Sequence, residues 1–311
     1  MKALITGISG FIGSHVAALM LAQGDEIIGV ARTGWHADAP PNLVDSIPLV
    51  PWDIQESATE SLVSRLTEFA PDVIFHFAGL SIPAACGRET PTRLAMAVNV
   101  RGTSHVLDIV ARLSPAPRLI FASTCHVYDR VDKESPVVSE QSPLRPISAY
   151  GQTKLLCEQD IQARAAASNL DACIVRGFHH IGPRQPAGLM LTDWIAQIGP
   201  AATEIKVRST RSYLDLVDVR DAARAYYLLA AAKPTVDVCN LGSGRISRSG
   251  DVLTTLLEQV GPAIDIVVES EHEQWNAIAD ISRLQSLGWT AQIDYRQSIS
   301  DMLSCRNVGR T

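Results

Sequence analysis

Short apolar runs alternate with amphipathic stretches through the first 175 residues. The runs at 2–6, 26–31, 47–50, 72–77, 118–123 and 171–175 have the length of strands. Between the first two, Ile12, Val16, Leu19 and Met20 recur at i, i+4, i+7 and i+8, one stripe of a helix. Longer helices are predicted over 92–113 and 148–167. Strands alternating with helices at these spacings predict an α/β fold with a doubly wound parallel sheet. The rhythm changes after Arg176, where Pro183, Pro186 and Gly188 mark irregular chain. A helix over 218–232 and a strand over 238–241 follow, then a helix over 251–260, a strand over 264–268 and a last helix over 295–305. Residues 1–175 plus 212–240 are expected to form the sheet domain. Residues 176–211 plus 241–311 are expected to form a smaller C-terminal substrate-binding lobe.

Composition narrows the function classes. The 311 residues are 46% hydrophobic, which suits a globular chain. A net charge of −6 gives no broad basic face, so nucleic acid is not an expected partner. No apolar run approaches the roughly 20 residues that span a bilayer, and residues 2–6 lead directly into glycine-rich chain. The expectation is a cytoplasmic protein without a membrane partner. The six cysteines never form Cys-x-x-Cys, and the eight histidines lack metal-ligand spacing, so no metal is expected. His179 and His180 would point apart on a strand.

Thr6-Gly7-Ile8-Ser9-Gly10-Phe11-Ile12-Gly13 joins the first strand to the first helix, the context of a dinucleotide fingerprint. Gly7 would permit the tight turn, Gly10 the approach of a pyrophosphate, and Gly13 close packing of helix on sheet. Phe11 and Ile12 would present N–H groups at the positive end of the helix. A glycine-rich turn without a ligand is the plainer alternative. Tyr150 and Lys154, four residues apart, share one face of a predicted helix. A nearby ammonium is expected to pull the tyrosine pKa down from about 10 toward the working range.

Glycines spaced three and three resemble the extended short-chain dehydrogenase/reductases, the NAD-dependent epimerase/dehydratase family. Later motifs extend the resemblance over essentially the whole chain. It implies a Rossmann-type sheet domain and a nicotinamide cofactor. The family's acidic ribose-binding position at the end of the second strand is held here by Ala31, and Arg32 follows. A cation there suits a 2′-phosphate, so NADP (as NADPH) is expected over NAD. The resemblance places Asp53 and Ile54 against the adenine, with a helix N-cap as the alternative for Asp53. It places Ala78 and Gly79 beside the cofactor and Ser81 near the substrate. Asn99-x-x-Gly102-Thr103 matches an element of architectural role.

Phe121-Ala122-Ser123-Thr124-Cys125-His126-Val127-Tyr128 resembles the family's Ser-Ser/Thr-x-x-Val-Tyr-Gly motif, although Asp129 stands where glycine is usual. Thr124 falls on the catalytic hydroxyl, 26 residues before Tyr150. The resemblance implies that Thr124 holds a carbonyl oxygen, Tyr150 protonates it, and Lys154 binds the nicotinamide ribose. Cys125 and His126 replace the acid–base carboxylate pair of the family's dehydratases, which argues for a reductase or an epimerase. His126 could assist as an acid.

Arg176-Gly-Phe-His179-His180-Ile-Gly-Pro-Arg-Gln185 and Thr210-Arg211-Ser-Tyr-Leu-Asp-Leu-Val-Asp-Val219 resemble motifs of the GDP-4-keto-6-deoxy-mannose reductases. By that resemblance Arg211 grips a nucleotide diphosphate, with a surface ion pair to Asp215 or Asp218 as the alternative. His179 stands where the family places an asparagine near the phosphates. The implied activity is NADPH-dependent reduction of a 4-keto-6-deoxy nucleotide sugar. The alternatives are a nucleotide-sugar 4-epimerase with tightly bound NAD and a non-catalytic NADP-sensing protein. The resemblance also implies a homodimer formed through the helices bearing Asn99 and Tyr150.

Overall fold

A computed structural model describes the chain except residues 37–38, 169, 200–201, 233–236, 262–263 and 309–311. Seven strands form the central sheet: β1 Lys2–Thr6, β2 Glu26–Ala31, β3 Leu49–Pro51, β4 Val73–His76, β5 Arg118–Thr124, β6 Ala172–Gly177 and β7 Val238–Leu241. Their order is β3-β2-β1-β4-β5-β6-β7, and every neighbouring pair is parallel. The chain winds outward in both directions from β1 and β4, a crevice where ligands of such sheets bind.

Burial on both faces explains why these strands read as continuous apolar runs. All seven residues of β5 and all four of β4 are buried. Successive side chains alternate between two cores. Ile5 and Phe75 join Val16, Met20 and Tyr226 on one face; Leu4, Ile74 and Phe121 join Leu107 and Ile161 on the other. Helix α1 (Phe11–Ala22) lies against the helix Val219–Ala231 on the first of these faces. Trp289 is core as well, its Nε1 donating to the Asp221 carbonyl at 3.1 Å.

Two elements depart from the sequence expectation. The third strand begins at Leu49 rather than 47, because Ile47 closes the short helix Pro41–Ser46 by donating its N–H to the Leu43 carbonyl. The helix expected over 92–113 is interrupted: Arg93–Ala95 and Gly102–Arg112 flank a π-helical turn, Met96–Arg101. That turn places Asn99 so that its carbonyl accepts from Thr103 Oγ1 at 2.6 Å and from Cys157 Sγ at 3.2 Å. Side chains supply bonds there that periodicity does not register, and such bulges occur frequently at functional sites.

Small sheets lie beyond the central one. His179–Ile181 pairs with Leu216–Asp218, and Ser212–Leu214 sits between Ser247–Arg248 and Gln274–Trp275. The expected strand near 264–268 is Asp265–Val268, paired with Glu204–Val207. Leu191, Trp194, Leu216, Leu253 and Ile299 belong to a separate apolar cluster. No described helix is long and apolar enough to cross a membrane.

Candidate active site

The loop after β1 is shaped by contacts that exclude side chains. Gly7 has φ +67°, and a Cβ there would stand 2.6 Å from the Ala78 amide nitrogen. A Cβ on Gly13 would stand 2.4 Å from the Gly7 carbonyl oxygen. Gly10 caps α1 without a side-chain acceptor, and no acid occupies the first turn. The N–H groups opening the helix are therefore available to an anion, aided by the helix dipole. This arrangement fits a dinucleotide pyrophosphate.

Two cavities meet at this loop, with Gly7, Gly10 and Gly79 in the walls of both. One, of about 300 Å³, reaches from the loop past Ala78 to the end of β2. Arg32, Asp53 and Ile54 line it, as does His36, which the sequence reading missed. Asp53 does not cap a helix. Its Oδ1 accepts from the Gln55 N–H at 3.0 Å, while the next helix, Glu60–Phe69, is capped by Thr59.

The second cavity, of about 320 Å³, gathers Phe11, Ile12, Gly13, Ser81, Thr124, His126, Tyr150, Lys154 and His179. Thr124 ends β5 and is 5% exposed. Tyr150 and Lys154 project from α2 (Ala149–Ser168), one turn apart, as their spacing predicts. Tyr150 and Thr124 line the same cavity. Lys154 Nζ donates to the Ala122 carbonyl at 2.8 Å and lies 4.7 Å from the Phe121 ring centroid.

The expected lowering of the tyrosine pKa is reversed in this cleft. Burial raises the Tyr150 phenol well above its ordinary value, against an opposing influence of the Thr124 hydroxyl. Burial likewise lowers the Lys154 ammonium. Desolvation penalises the charged form of each group. The phenol thus holds its proton.

Buried polar groups fix these side chains. Asn99 Nδ2 donates to the Leu80 carbonyl at 3.1 Å and to Thr153 Oγ1 at 3.0 Å, tying the segment after β4 to α2. Behind the cavity, Arg176 pairs with Glu158 at 2.7 Å, with side chains only 3% and 1% exposed. Ser123 Oγ also donates to Glu158, and Arg176 donates to Tyr128 Oη at 3.1 Å. The sequence reading missed Glu158, yet it extends the Tyr150–Lys154 line by another four residues. It also missed Tyr226, whose hydroxyl is buried in the cavity wall without a hydrogen-bond partner.

On the opposite side, His126 and His179 face each other with ring centroids 5.9 Å apart and planes at 85°. Burial holds His179 near pKa 4, and His126, although it keeps an exposed edge, shifts the same way. His179 and His180 both line the cavity. His180 does so while its Nδ1–H donates to the Phe178 carbonyl at 2.7 Å. Cys125 adds a thiol, pushed up to about 12 by burial. Arg211 lies outside both cavities. It pairs with Glu273 at 3.1 Å, 43% exposed, and not with Asp215 or Asp218. Those two acids are engaged elsewhere, Asp215 by Ser243, Gly244 and Ala279, and Asp218 by Arg220.

Known proteins resemble this chain along nearly their whole length. A dTDP-6-deoxy-L-talose 4-dehydrogenase (NAD(P)(+)) of Kitasatospora kifunensis is 23% identical, over 99% of this chain and 96% of that protein. A GDP-6-deoxy-D-mannose reductase of Pseudomonas aeruginosa is 24% identical, over 97% and 96%. The solved UDP-glucose 4-epimerase of Thermus thermophilus, in complex with NAD, superposes with a TM-score of 0.84 at 23% identity, covering 100% of both chains. The model of the NAD dependent epimerase/dehydratase family matches residues 3–242. With a glycine loop, a parallel sheet wound outward from β1 and β4, and a match over more than half its length, the chain belongs to that family.

Proposed function

We propose that the protein reduces the 4-keto group of a 4-keto-6-deoxy nucleotide-diphosphate sugar with NADPH. The observation carrying this reading is the Thr124–Tyr150 hydroxyl pair in a cavity that continues to the glycine loop. The dinucleotide, when bound, supplies the hydride. Thr124 holds the keto oxygen, and Tyr150 donates the proton that makes it a hydroxyl. A phenol kept protonated by burial is ready as an acid, the role a reduction requires first. Lys154, between Ala122 and Gly79, is placed to bind the nicotinamide ribose. Cys125 and His126 provide no carboxylate pair for dehydration.

Arg32 and His36 support a 2′-phosphate on the ribose, since β2 ends at Ala31 with no acid to bind free hydroxyls. Phe11, Ile12, Asp53, Ile54, Ala78 and Gly79 complete the proposed cofactor contacts, and Ser81, His126 and His179 face the sugar. Arg211 would reach a diphosphate by exchanging its partner Glu273. In this reading 1–175 plus 212–240 carries the cofactor and the remaining segments the sugar nucleotide. A homodimer is part of the proposal, supported by apolar side chains left exposed on the two helical segments expected to pair, Leu94 at 50% and Leu156 at 41%.

The second reading, a nucleotide-sugar 4-epimerase, is supported by the NAD-bound epimerases that share the fold. Oxidation of NADPH and NADH is measured with 4-keto-6-deoxy sugars carrying GDP, dTDP, UDP or CDP. Turnover with NADPH is expected, reduced about 10²–10⁴-fold in Tyr150→Phe. Purified protein retaining non-exchangeable NAD and interconverting 4-epimers would replace the reductase reading with the epimerase one.

A further inference from the structure

Three metal-ligating side chains with no sequence spacing to announce them converge, His126 and His179 from the cavity wall and Cys125 from an adjoining pocket that both histidines also line. Cys125 and His126 lie on the single 3-10 turn that follows β5, and His179 enters from the strand His179–Ile181. The Cys125 sulfur and one ring nitrogen from each histidine lie within 4.8 Å of one another. Backbone bonds hold both segments: the His126 N–H donates to Thr124 Oγ1 at 3.3 Å, and the His179 N–H to the Asp215 carbonyl at 3.1 Å. His179 Nδ1 is buried with no hydrogen-bond partner. Native interiors leave few polar atoms in that condition, so this nitrogen calls for a ligand.

We propose that Cys125, His126 and His179 form a binding site for one zinc-class divalent cation, leaving its fourth position to a non-protein ligand. One thiolate and two imidazoles suit a borderline-soft ion, and alkaline-earth cations, which prefer oxygen, are disfavoured. Bonds of about 2.0–2.3 Å to a tetrahedral zinc imply ligand atoms about 3.3–3.7 Å apart. The observed spread of up to 4.8 Å closes to that by side-chain rotation of about an ångström. The rings meet edge to face, 85° apart, so neither blocks the other's approach to a common ion. Three protein ligands with an open fourth position are the arrangement of zinc sites that take an exogenous oxygen ligand. Here that oxygen would be water or a sugar hydroxyl.

The test titrates the reduced, metal-free protein with Co²⁺ without dinucleotide or sugar, so its outcome is independent of the proposed reaction. One equivalent is expected to bind, with an intense near-ultraviolet thiolate-to-cobalt band that Zn²⁺ abolishes by displacement. Cys125→Ser should remove that band, His179→Ala should weaken binding at least about tenfold, and Cys305→Ser should change neither. Circular dichroism verifies that each variant is folded, and two ligand variants keep the test alive if one is not. Absence of one-equivalent binding, or a band that survives Cys125→Ser, overturns the site.

Discussion

The cavity beneath the glycine loop is shaped mainly by backbone, whereas the cavity beside Tyr150 is shaped by side chains brought from several separate segments. In the first, Gly7 and Gly13 let chain approach chain where any Cβ would collide. In the second, Thr124 ends a strand, Tyr150 and Lys154 ride a helix, and His126 and His179 arrive on short irregular elements. Titratable groups concentrate in the second. Desolvation there keeps the phenol protonated and His179 neutral, while the glycine loop of the first offers dipoles and N–H groups that do not titrate. A backbone cradle can therefore serve a cofactor held in common, and the side-chain cavity is where a family varies its substrate.

The comparison breaks most severely if the wall behind the second cavity is opened. Glu158→Ala leaves Arg176 buried and unpaired, and should cost about 3–5 kcal/mol in chemical denaturation. A loss below about 1 kcal/mol would mean that water reaches the pair and that the wall is not sealed.

Gly13→Ala strikes the first cavity. Its Cβ meets the Gly7 carbonyl at 2.4 Å, so α1 must shift from the loop. Dinucleotide affinity by fluorescence titration should fall about 100-fold, equivalent to about 2.7 kcal/mol. Affinity equal to wild type would show that the loop has freedom to reshape around the ligand.

Acid should weaken the fold through its neutral histidines. Burial lowers His76 to about 3 and His15, His179 and His180 to about 4. Between those values and about 6.5 the unfolded chain binds protons that the folded chain refuses. The stabilisation is complete above about pH 6.5 and is lost as pH falls through 4 toward 3. Buried Asp215 and Asp221, whose pKa values are raised, oppose the trend in part. The thermal midpoint should drop between pH 7 and 4, and His76→Gln should flatten that slope by a few kcal/mol at most. An unchanged slope would assign the acid sensitivity to other groups.

The smallest effect is expected at the rim. Arg211→Ala removes an exposed ion pair with Glu273, worth about 0–1 kcal/mol to stability. If Arg211 reaches a diphosphate, KM for the nucleotide sugar rises about tenfold with kcat preserved. An unchanged KM would confine phosphate recognition to the cavity itself.

Much of the first cavity was legible in the chain because its determinants are local. A strand, three glycines and a helix stripe lie within the first 22 residues, and the Ala31–Arg32 junction follows from register. The Tyr150–Lys154 pair was legible for the same reason, since four residues of helix fix which side chains share a face. Legibility failed where burial or distant partners decide. Lys154 was expected to acidify Tyr150, but removing the phenol from water raises its pKa instead. The alternative partners offered for Arg211, Asp215 and Asp218, were its neighbours in sequence, but Glu273 arrives beside it through the pairing of Ser212–Leu214 with Gln274–Trp275.

The sequence by itself determined the parallel α/β sheet, the glycine loop and the helix face shared by Tyr150 and Lys154, because periodicity and backbone sterics act over a few residues. Tertiary structure alone decided the meeting of Cys125, His126 and His179, the Glu158–Arg176 wall and the protonation of Tyr150. Those depend on which distant groups share a low-dielectric space, and no local pattern encodes that distance.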